Sequence, residues 1–331
     1  MAAHTYPSPT LLGSRKSDLA LIQARYVMAQ IEKLPDAPKI EIQTGTAAGD
    51  KDKITPFLEL SKQTGGSDLG KSLWTNELEA DLVAGKVHFL VHSLKDMPTT
   101  LPPNCLLGAI TEREDPSDAV VMPKGSKYTS IDELPAGSVV GSSSSRRRAL
   151  IRKNWPHLEV EECRGNVDTR LAKLDAADSK FSCILLATAG LLRLGLGHRV
   201  TQRLQANVFP YAVGQAALGI EVTADSPAMQ QLVLAADHKP SRWRCMAERA
   251  MLRTLQGGCS SPIGVYTHYE SPENGGKLCL GATVVDMAGD KHVSTEELRL
   301  VESDEDAEAL GLTVAKKLLD GGASGLLQRH A

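Results

Sequence analysis

No run of this chain approaches the roughly 18 consecutive apolar residues that a membrane-spanning helix needs, so no membrane partner is expected. Met1 to Pro9 carries no basic-then-apolar signal pattern, and no Arg- and Ser-rich transit segment precedes the first apolar run. A cytoplasmic location is the expectation that follows. Cysteine is sparse: six in 331 residues, none in a Cys-x-x-Cys pair, with no His at zinc-finger spacing. That pattern argues against a disulfide framework and a structural metal, and no metal is expected. Aromatic residues make up only 4%, the net charge is −3, and no basic stripe is interleaved with aromatics. Base stacking and a broad polyanion surface both need more than that, so no nucleic-acid partner is expected. The dinucleotide fingerprint Gly-x-Gly-x-x-Gly is missing, and no Ser, His and Asp stand at a known triad spacing.

What is present is ordinary globular composition, 42% hydrophobic and 23% charged, at a length that suits two or three domains. The first two thirds alternate strand and helix patterns. Thr10 to Gly13 is a short apolar start. Asp18 to Lys33 has helical spacing behind an N-cap at Ser17, with Leu19, Ile22, Tyr26 and Ala29 on one line and Ala20, Ala24, Val27 and Ile31 beside it. Ile40 to Thr44 and Val87 to Val91 read as strands and Lys71 to Ala84 as a helix, with a long polar loop over Asp50 to Gly70. A second αβ unit starts near Ala119. It has strands at Val139–Val140, 158–160 and 184–187, and helices at Ser145 to Asn154 and Val167 to Ala177. After Gln215 the pattern becomes α+β. A helix over Arg242 to Leu255 is expected to end at Gly257-Gly258, followed by a strand at 263–266, a hairpin around Ala288-Gly289-Asp290 and a helix over Asp306 to Asp320.

Cations collect where strands give way to helices or loops. Gly13-Ser14-Arg15-Lys16-Ser17, His92-Ser93-Leu94-Lys95-Asp96, Gly141-Ser142-Ser143-Ser144-Ser145-Arg146-Arg147-Arg148 and Arg164-Gly165-Asn166-Val167-Asp168-Thr169-Arg170 share one design. Open α/β sheets bind ligands beyond the carboxyl ends of their strands. Helix-start N–H groups and serine hydroxyls favour anions there, and Arg recognises carboxylates in a bidentate way. One such cluster is usually a solvated basic face. Four at the same topological place point to a small ligand with several negative groups. Asp96 is the one carboxylate set beside Lys95 in that setting, a candidate for stabilising a developing cation or trading a proton. Cys259, in Gly257-Gly258-Cys259-Ser260, lies on a tight connection and is a candidate attachment point, although a free cysteine is usually buried and inert.

Taken in order, six motifs resemble the hydroxymethylbilane synthase (porphobilinogen deaminase) family. They are Val91 to Pro98, Gly141 to Arg147, Arg164 to Arg170, Leu186-Ala187-Thr188-Ala189-Gly190-Leu191, Tyr211-Ala212-Val213-Gly214-Gln215 and Gly257 to Ser260, and the similarity runs from Leu12 to about Gln328. The resemblance implies head-to-tail joining of four porphobilinogen molecules with loss of ammonia, then hydrolysis to a linear tetrapyrrole. It implies a dipyrromethane cofactor in thioether linkage to Cys259, and Asp96 as the catalytic carboxylate. Cofactor-binding positions carried over are Ser93, Lys95, Ser142, Ser143, Ser144, Arg146, Arg147, Arg164, Gly165, Arg170 and Gln215. Substrate-binding positions are Arg15, Ser17, Gln23, Arg164, Arg170 and Gly190. This chain has Ser142 where the family usually has Thr, and Ser145 where it usually has Leu.

The implied fold class is α/β, with two periplasmic-binding-protein-like αβ domains and a smaller C-terminal α+β domain, acting as a monomer. Expected bounds are 1–112 with 212–236, then 113–211, then 237–331. The crossings near Glu112 to Ser117 and near Tyr211 would form the hinge. A non-catalytic two-lobed polyanion-binding protein and a nucleic-acid-binding regulator are the competing readings.

Overall fold

The computed structural model describes residues 6–45, 75–256, 261–271, 273 and 276–327. Cys259 and the loop expected over 50–70 lie outside the described residues.

The chain runs through β1 (Thr10–Arg15), α1 (Asp18–Ile31), β2 (Ile40–Gly45), α2 (Asn76–Val83), β3 (Phe89–Ser93) and β4 (Cys105–Ile110). It continues through β5 (Asp118–Val121), β6 (Val139–Gly141), α3 (Ser145–Asn154), β7 (Glu159–Glu161), α4 (Val167–Asp175), β8 (Cys183–Ala187), α5 (Thr188–Arg193) and β9 (Gln202–Arg203). The remainder is β10 (Leu218–Thr223), α6 (Pro227–Val233), α7 (Lys239–Thr254), β11 (Ile263–Tyr269), β12 (Lys277–Val285), β13 (His292–Leu300), α8 (Asp304–Asp320) and α9 (Ala323–Leu327).

Three sheets result. The first has order β2-β1-β3-β10-β4, the second β7-β6-β8-β5-β9, and the third is the antiparallel set β11-β12-β13. In the first, β1 pairs in parallel with β2 and β3, and β10 is antiparallel to both β3 and β4. The second repeats that pattern, with β6 parallel to β7 and β8, and β5 antiparallel to β8 and β9. Parallel strands need helical crossovers, and α1, α3 and α4 supply them. Strand β10 follows the whole second sheet in sequence yet pairs inside the first, so the chain passes between the two sheets twice.

Each layer has its own apolar core. Leu12, Phe89 and Ile220 pack with Val27 and Ile31 of α1, and Val140 and Leu185 with Leu150 and Ile151 of α3. Full burial of each such side chain contributes about 1.5–3 kcal/mol. On α1 the buried set is Ala20, Gln23, Ala24, Val27 and Ile31. That is the second of the two apolar lines, while Tyr26 on the first is 41% exposed. Helix α7 ends at Thr254 with Leu255 as its C-cap, short of the glycines. It packs with α8 over the third sheet, around Met251, Val265, Leu280 and Leu310.

The two crossings and the third domain meet at one buried ion pair. Arg113 donates from Nη1 to Glu248 Oε1 at 2.6 Å and from Nη2 to Glu248 Oε2 at 3.1 Å. Gly214 N donates to Glu248 Oε2 at 2.8 Å, and Arg113 Nε donates to the Gln215 carbonyl at 2.8 Å. Gly214 has φ +71, and a Cβ there would lie 3.0 Å from Leu94 Cγ, so the turn is built for glycine.

Candidate functional site

A cleft of about 510 Å³ opens between the first two sheets, with the third domain at one end. The carboxyl ends of β1, β3, β6 and β8 lead into it. Arg15, Ser17 and Gln23 enter from the β1–α1 turn and α1. Ser93, Lys95 and Asp96 come from the end of β3 and the helical turn after it. Ser143, Ser144, Arg146 and Arg147 come from the start of α3, and Arg164, Gly165 and Arg170 from the turn into α4. Gly190 lines it from α5 and Gln215 from the second crossing, while Leu252, Ser261 and Ile263 contribute from the third domain. The four basic turns therefore converge on one space.

Local chemistry explains each turn. Ser17 Oγ accepts from Ala20 N at 3.4 Å, and Ser144 Oγ accepts from Arg147 N at 3.4 Å, so both serines cap helix starts. Gln23 Nε2 donates to Ser93 Oγ at 3.0 Å, which joins α1 to β3 across the cleft floor. Ser143 Oγ donates to the Cys163 carbonyl at 2.9 Å. Gly165 has φ +114, and a Cβ there would sit 2.9 Å from Thr169 Cγ2. That conformation leaves its carbonyl to accept from Arg170 Nε at 2.7 Å. A Cβ on Gly190 would meet only Leu19 Cδ2, at 3.9 Å, so the cleft wall there has space.

Ser142 is the exception among the expected residues. It is 1% exposed and lies beneath the cleft lining. Its N–H donates to the Glu161 carbonyl at 2.8 Å, which extends the β6–β7 pairing, and its Oγ accepts from Ser144 N at 3.3 Å. The strand runs one residue further than the turn suggested, so this hydroxyl shapes the turn from beneath the lining. Ser145 is also buried, as the first residue of α3.

The electrostatics centre on Asp118, which the sequence reading passed over. Its buried carboxylate accepts from Arg147 Nε at 3.1 Å and Nη2 at 2.7 Å, and Arg146 Nη1 lies 2.7 Å from Oδ2. Burial alone would raise its pKa, but Arg146 and Arg147 outweigh burial and hold the group well below the usual carboxylate range. Arg146 Nη1 also donates to the Pro210 carbonyl at 2.6 Å and Arg147 Nη1 to that of Leu185 at 2.9 Å. Lys95 is half-buried, and burial pushes its pKa down to about 8, with Arg147 and Arg146 adding to the effect and Asp96 and Asp118 opposing it. Arg170 is lowered to about 10 by burial and then by Arg147. Arg193 is a further cation on the lining that the sequence reading missed, because it ends a short helix outside the four basic turns. It donates to the Ala216 carbonyl at 2.6 Å, and burial lowers its pKa.

Seven cations and three carboxylates, Asp18, Asp96 and Asp168, line the space. Among the described residues, Arg146 Nε and Arg164 Nη1 are buried without a hydrogen-bond partner. Buried N–H groups of this kind call for acceptors, and carboxylates on a ligand fit them. Leu252 and Ser261, on either side of the undescribed residues 257–260, both face the same cleft. No described group of three His, Cys, Asp or Glu could hold a metal ion, and no described helix is long and apolar enough to cross a membrane.

Residues 11–231 match the family model "Porphobilinogen deaminase, dipyromethane cofactor binding domain", and residues 243–320 match "Porphobilinogen deaminase, C-terminal domain". The porphobilinogen deaminase of Schizosaccharomyces pombe is 44% identical over 96% of this chain and 94% of its own length. That of Yarrowia lipolytica is 45% identical over 96% of this chain and 91% of its own. That of Saccharomyces cerevisiae is 43% identical, over 97% of each. Among solved structures, the periplasmic aliphatic sulphonate binding protein SsuA from Escherichia coli is similar at 12% identity, a TM-score of 0.38 and 76% coverage of each chain, a likeness of fold alone. Matched by both family models and by relatives along nearly its whole length, this chain belongs to the porphobilinogen deaminase family and is an enzyme.

Proposed function

We propose that this enzyme is a transferase that joins four porphobilinogen molecules head to tail in the cleft, releases ammonia at each step and hydrolyses the product free as hydroxymethylbilane. The single observation that carries the reading is the convergence of Lys95, Arg146, Arg147, Arg164 and Arg170 on one space beside Asp96. Each pyrrole brings two carboxylates, so a growing chain needs cations distributed through one cleft rather than gathered at one point. The same observation disfavours a non-catalytic polyanion-binding reading, because such a protein has no use for a carboxylate among the cations.

The dipyrromethane cofactor fits the residues present. Arg146 Nε and Arg164 Nη1 supply unpartnered buried donors, and Ser93, Ser143, Ser144, Lys95, Arg147, Gly165, Arg170 and Gln215 complete the set proposed to hold it. Ser142 is proposed to serve the same set from beneath, through the turn that presents Ser143 and Ser144. Cys259 is proposed as the thioether anchor, since Leu252 and Ser261, which precede and follow the undescribed residues 257–260 in sequence, both line the cleft. When bound, the cofactor supplies a carbon nucleophile to which the first substrate is joined.

The chain's own residues do the rest. Arg15, Ser17, Gln23, Arg164, Arg170 and Gly190 are proposed to seat the incoming substrate, the cations by pairing with its acetate and propionate groups. Asp96 offsets the positive charge that develops on the substrate pyrrole as ammonia leaves. Lys95 beside it is proposed to pair with carboxylates of cofactor and substrate and, with its lowered pKa, gives up its charge at mildly alkaline pH. The proposed divisions are 1–112 with 212–236, 113–211 and 237–331, hinged at the two crossings. A monomer in the cytoplasm is part of the same proposal.

Incubating the purified chain with porphobilinogen tests the activity. One ammonia released per porphobilinogen consumed, with a linear tetrapyrrole as product, is the expected result. Binding of porphobilinogen without ammonia release would overturn it.

A further inference from the structure

On the face of the first sheet that α2 covers, three ionisable side chains sit in an otherwise apolar core. Glu79 of α2 is 3% exposed, His92 of β3 is 5% and Glu221 of β10 is 0%. Leu78, Leu82, Val87, Leu90 and Cys105 form the apolar cluster between α2 and the same sheet. His92 Nε2 lies 3.2 Å from Glu221 Oε2. Among the described residues, Glu79 Oε1, His92 Nε2 and both Glu221 carboxylate oxygens are buried without a hydrogen-bond partner, so the His92–Glu221 approach is a close contact of ionisable groups and not a formed hydrogen bond. Well-packed apolar residues in place of a buried ion pair are often neutral or stabilising, so stability alone gives no reason for such a cluster.

The register shows what the cluster holds. In the antiparallel pair, His92 stands opposite Gly219 and Glu221 opposite Leu90, so His92 and Glu221 are diagonal neighbours on one face. The residue after His92 is Ser93, and the chain then turns directly into Lys95 and Asp96 in the cleft. The residues before β10 are Gln215 and Ala216, also on the cleft. Leu94 N donates to the Ala217 carbonyl at 3.0 Å across the same seam. The His92–Glu221 contact therefore spans the two strands that deliver Asp96 and Gln215.

We propose that Glu79, His92 and Glu221 form a buried proton-holding cluster that positions the Ser93–Asp96 segment from behind the sheet, with His92 as the positioning residue. This rests on the reading of Asp96 as the catalytic carboxylate. A carboxyl group buried near another carboxylate is costly to ionise. Burial, and then the charge of Glu221, raise the pKa of Glu79 to about 7, against opposing effects of Thr75 and His92. Among the described residues, Cys105 of β4 also faces the cluster, pushed up to about 12 by burial and then by Glu221, so it stays a neutral thiol. Loss of the Glu79 proton places a negative charge inside this buried cluster and loosens the seam between β3 and β10.

The test uses the full-length holoenzyme and follows kcat and KM separately against pH. The parent is expected to lose kcat as pH rises through about 7. Glu79→Gln, which mimics the protonated acid, is expected to match the parent below that point and to abolish that limb, leaving any change of KM near pH 8 that belongs to Lys95. His92→Gln is expected to lower kcat by about 10²-fold through misplacement of the segment, with the covalent cofactor mass retained. The double variant His92→Gln/Glu221→Gln, which pairs two neutral amides, is expected to recover part of that loss. An unchanged kcat profile in Glu79→Gln, with only its melting temperature moved, would overturn the proposal, and so would undiminished kcat in His92→Gln. Failure of the functional reading is a separate result: a parent protein without a covalent group or without turnover.

Discussion

Gln215 Nε2 donates to Asp118 Oδ1 at 2.9 Å, which bonds the second crossing to the carboxylate that Arg146 and Arg147 share. The same amide nitrogen lies 2.7 Å from the Pro116 carbonyl of the first crossing. Gln215 thus links both crossings to the buried Asp118–Arg146–Arg147 charge cluster.

Asp118 is therefore expected to be a structural keystone. Asp118→Asn leaves two buried guanidinium groups without their counter-charge, a change that costs about 3–5 kcal/mol. Its pKa is depressed in the folded protein, so its contribution is present above the ordinary carboxylate range and is lost as pH falls through and below it. Thermal melting from neutral to acid pH checks this. The parent should lose stability toward acid, and the variant should melt well below it at neutral pH with a shallower acid dependence. Equal melting at neutral pH would contradict the account.

Lys95 sets a pH limit on substrate binding. Its folded pKa of about 8 lies below its ordinary value. The ammonium is held below about pH 8, and the charge that pairs with a carboxylate disappears as pH rises through that value. KM for porphobilinogen should rise above about pH 8. Lys95→Arg keeps its charge at any working pH and should flatten that rise. The stability effect has the opposite sign: the cost of burying the ammonium is full below about pH 8 and is relieved as pH climbs toward the unfolded value of 10.5.

How much of this was legible in the residues depends on the range of the interaction. The four basic turns could be read because each places its serines and cations within a few residues of a helix start. Ser142 could not be separated from Ser143 and Ser144 that way, since the β6–β7 pairing that buries it involves Glu161, far along the chain. Asp118 lies 28 and 29 positions before Arg146 and Arg147, and nothing local marks it as their partner. Strands β4 and β10 carry short apolar runs without a clear period. Their antiparallel pairing becomes visible only when the chain returns from the second sheet. Glu79 and Glu221 read as ordinary acidic residues until α2 closes over β3 and β10.

Asp96 bears on turnover rather than loading. Asp96→Asn removes the carboxylate beside the developing positive charge and should lower kcat by about 10²–10³-fold. Cofactor attachment through a different residue should persist. Steady-state kinetics with intact-mass measurement separates the two, and near-normal kcat would remove Asp96 from the mechanism.

The most direct measurement is the intact mass of the denatured protein, parent against Cys259→Ser. The account predicts a covalent excess equal to two pyrrole units on the parent and none on the variant, with turnover lost alongside it. An unmodified parent that still consumes porphobilinogen, or a variant that keeps the excess, would contradict it.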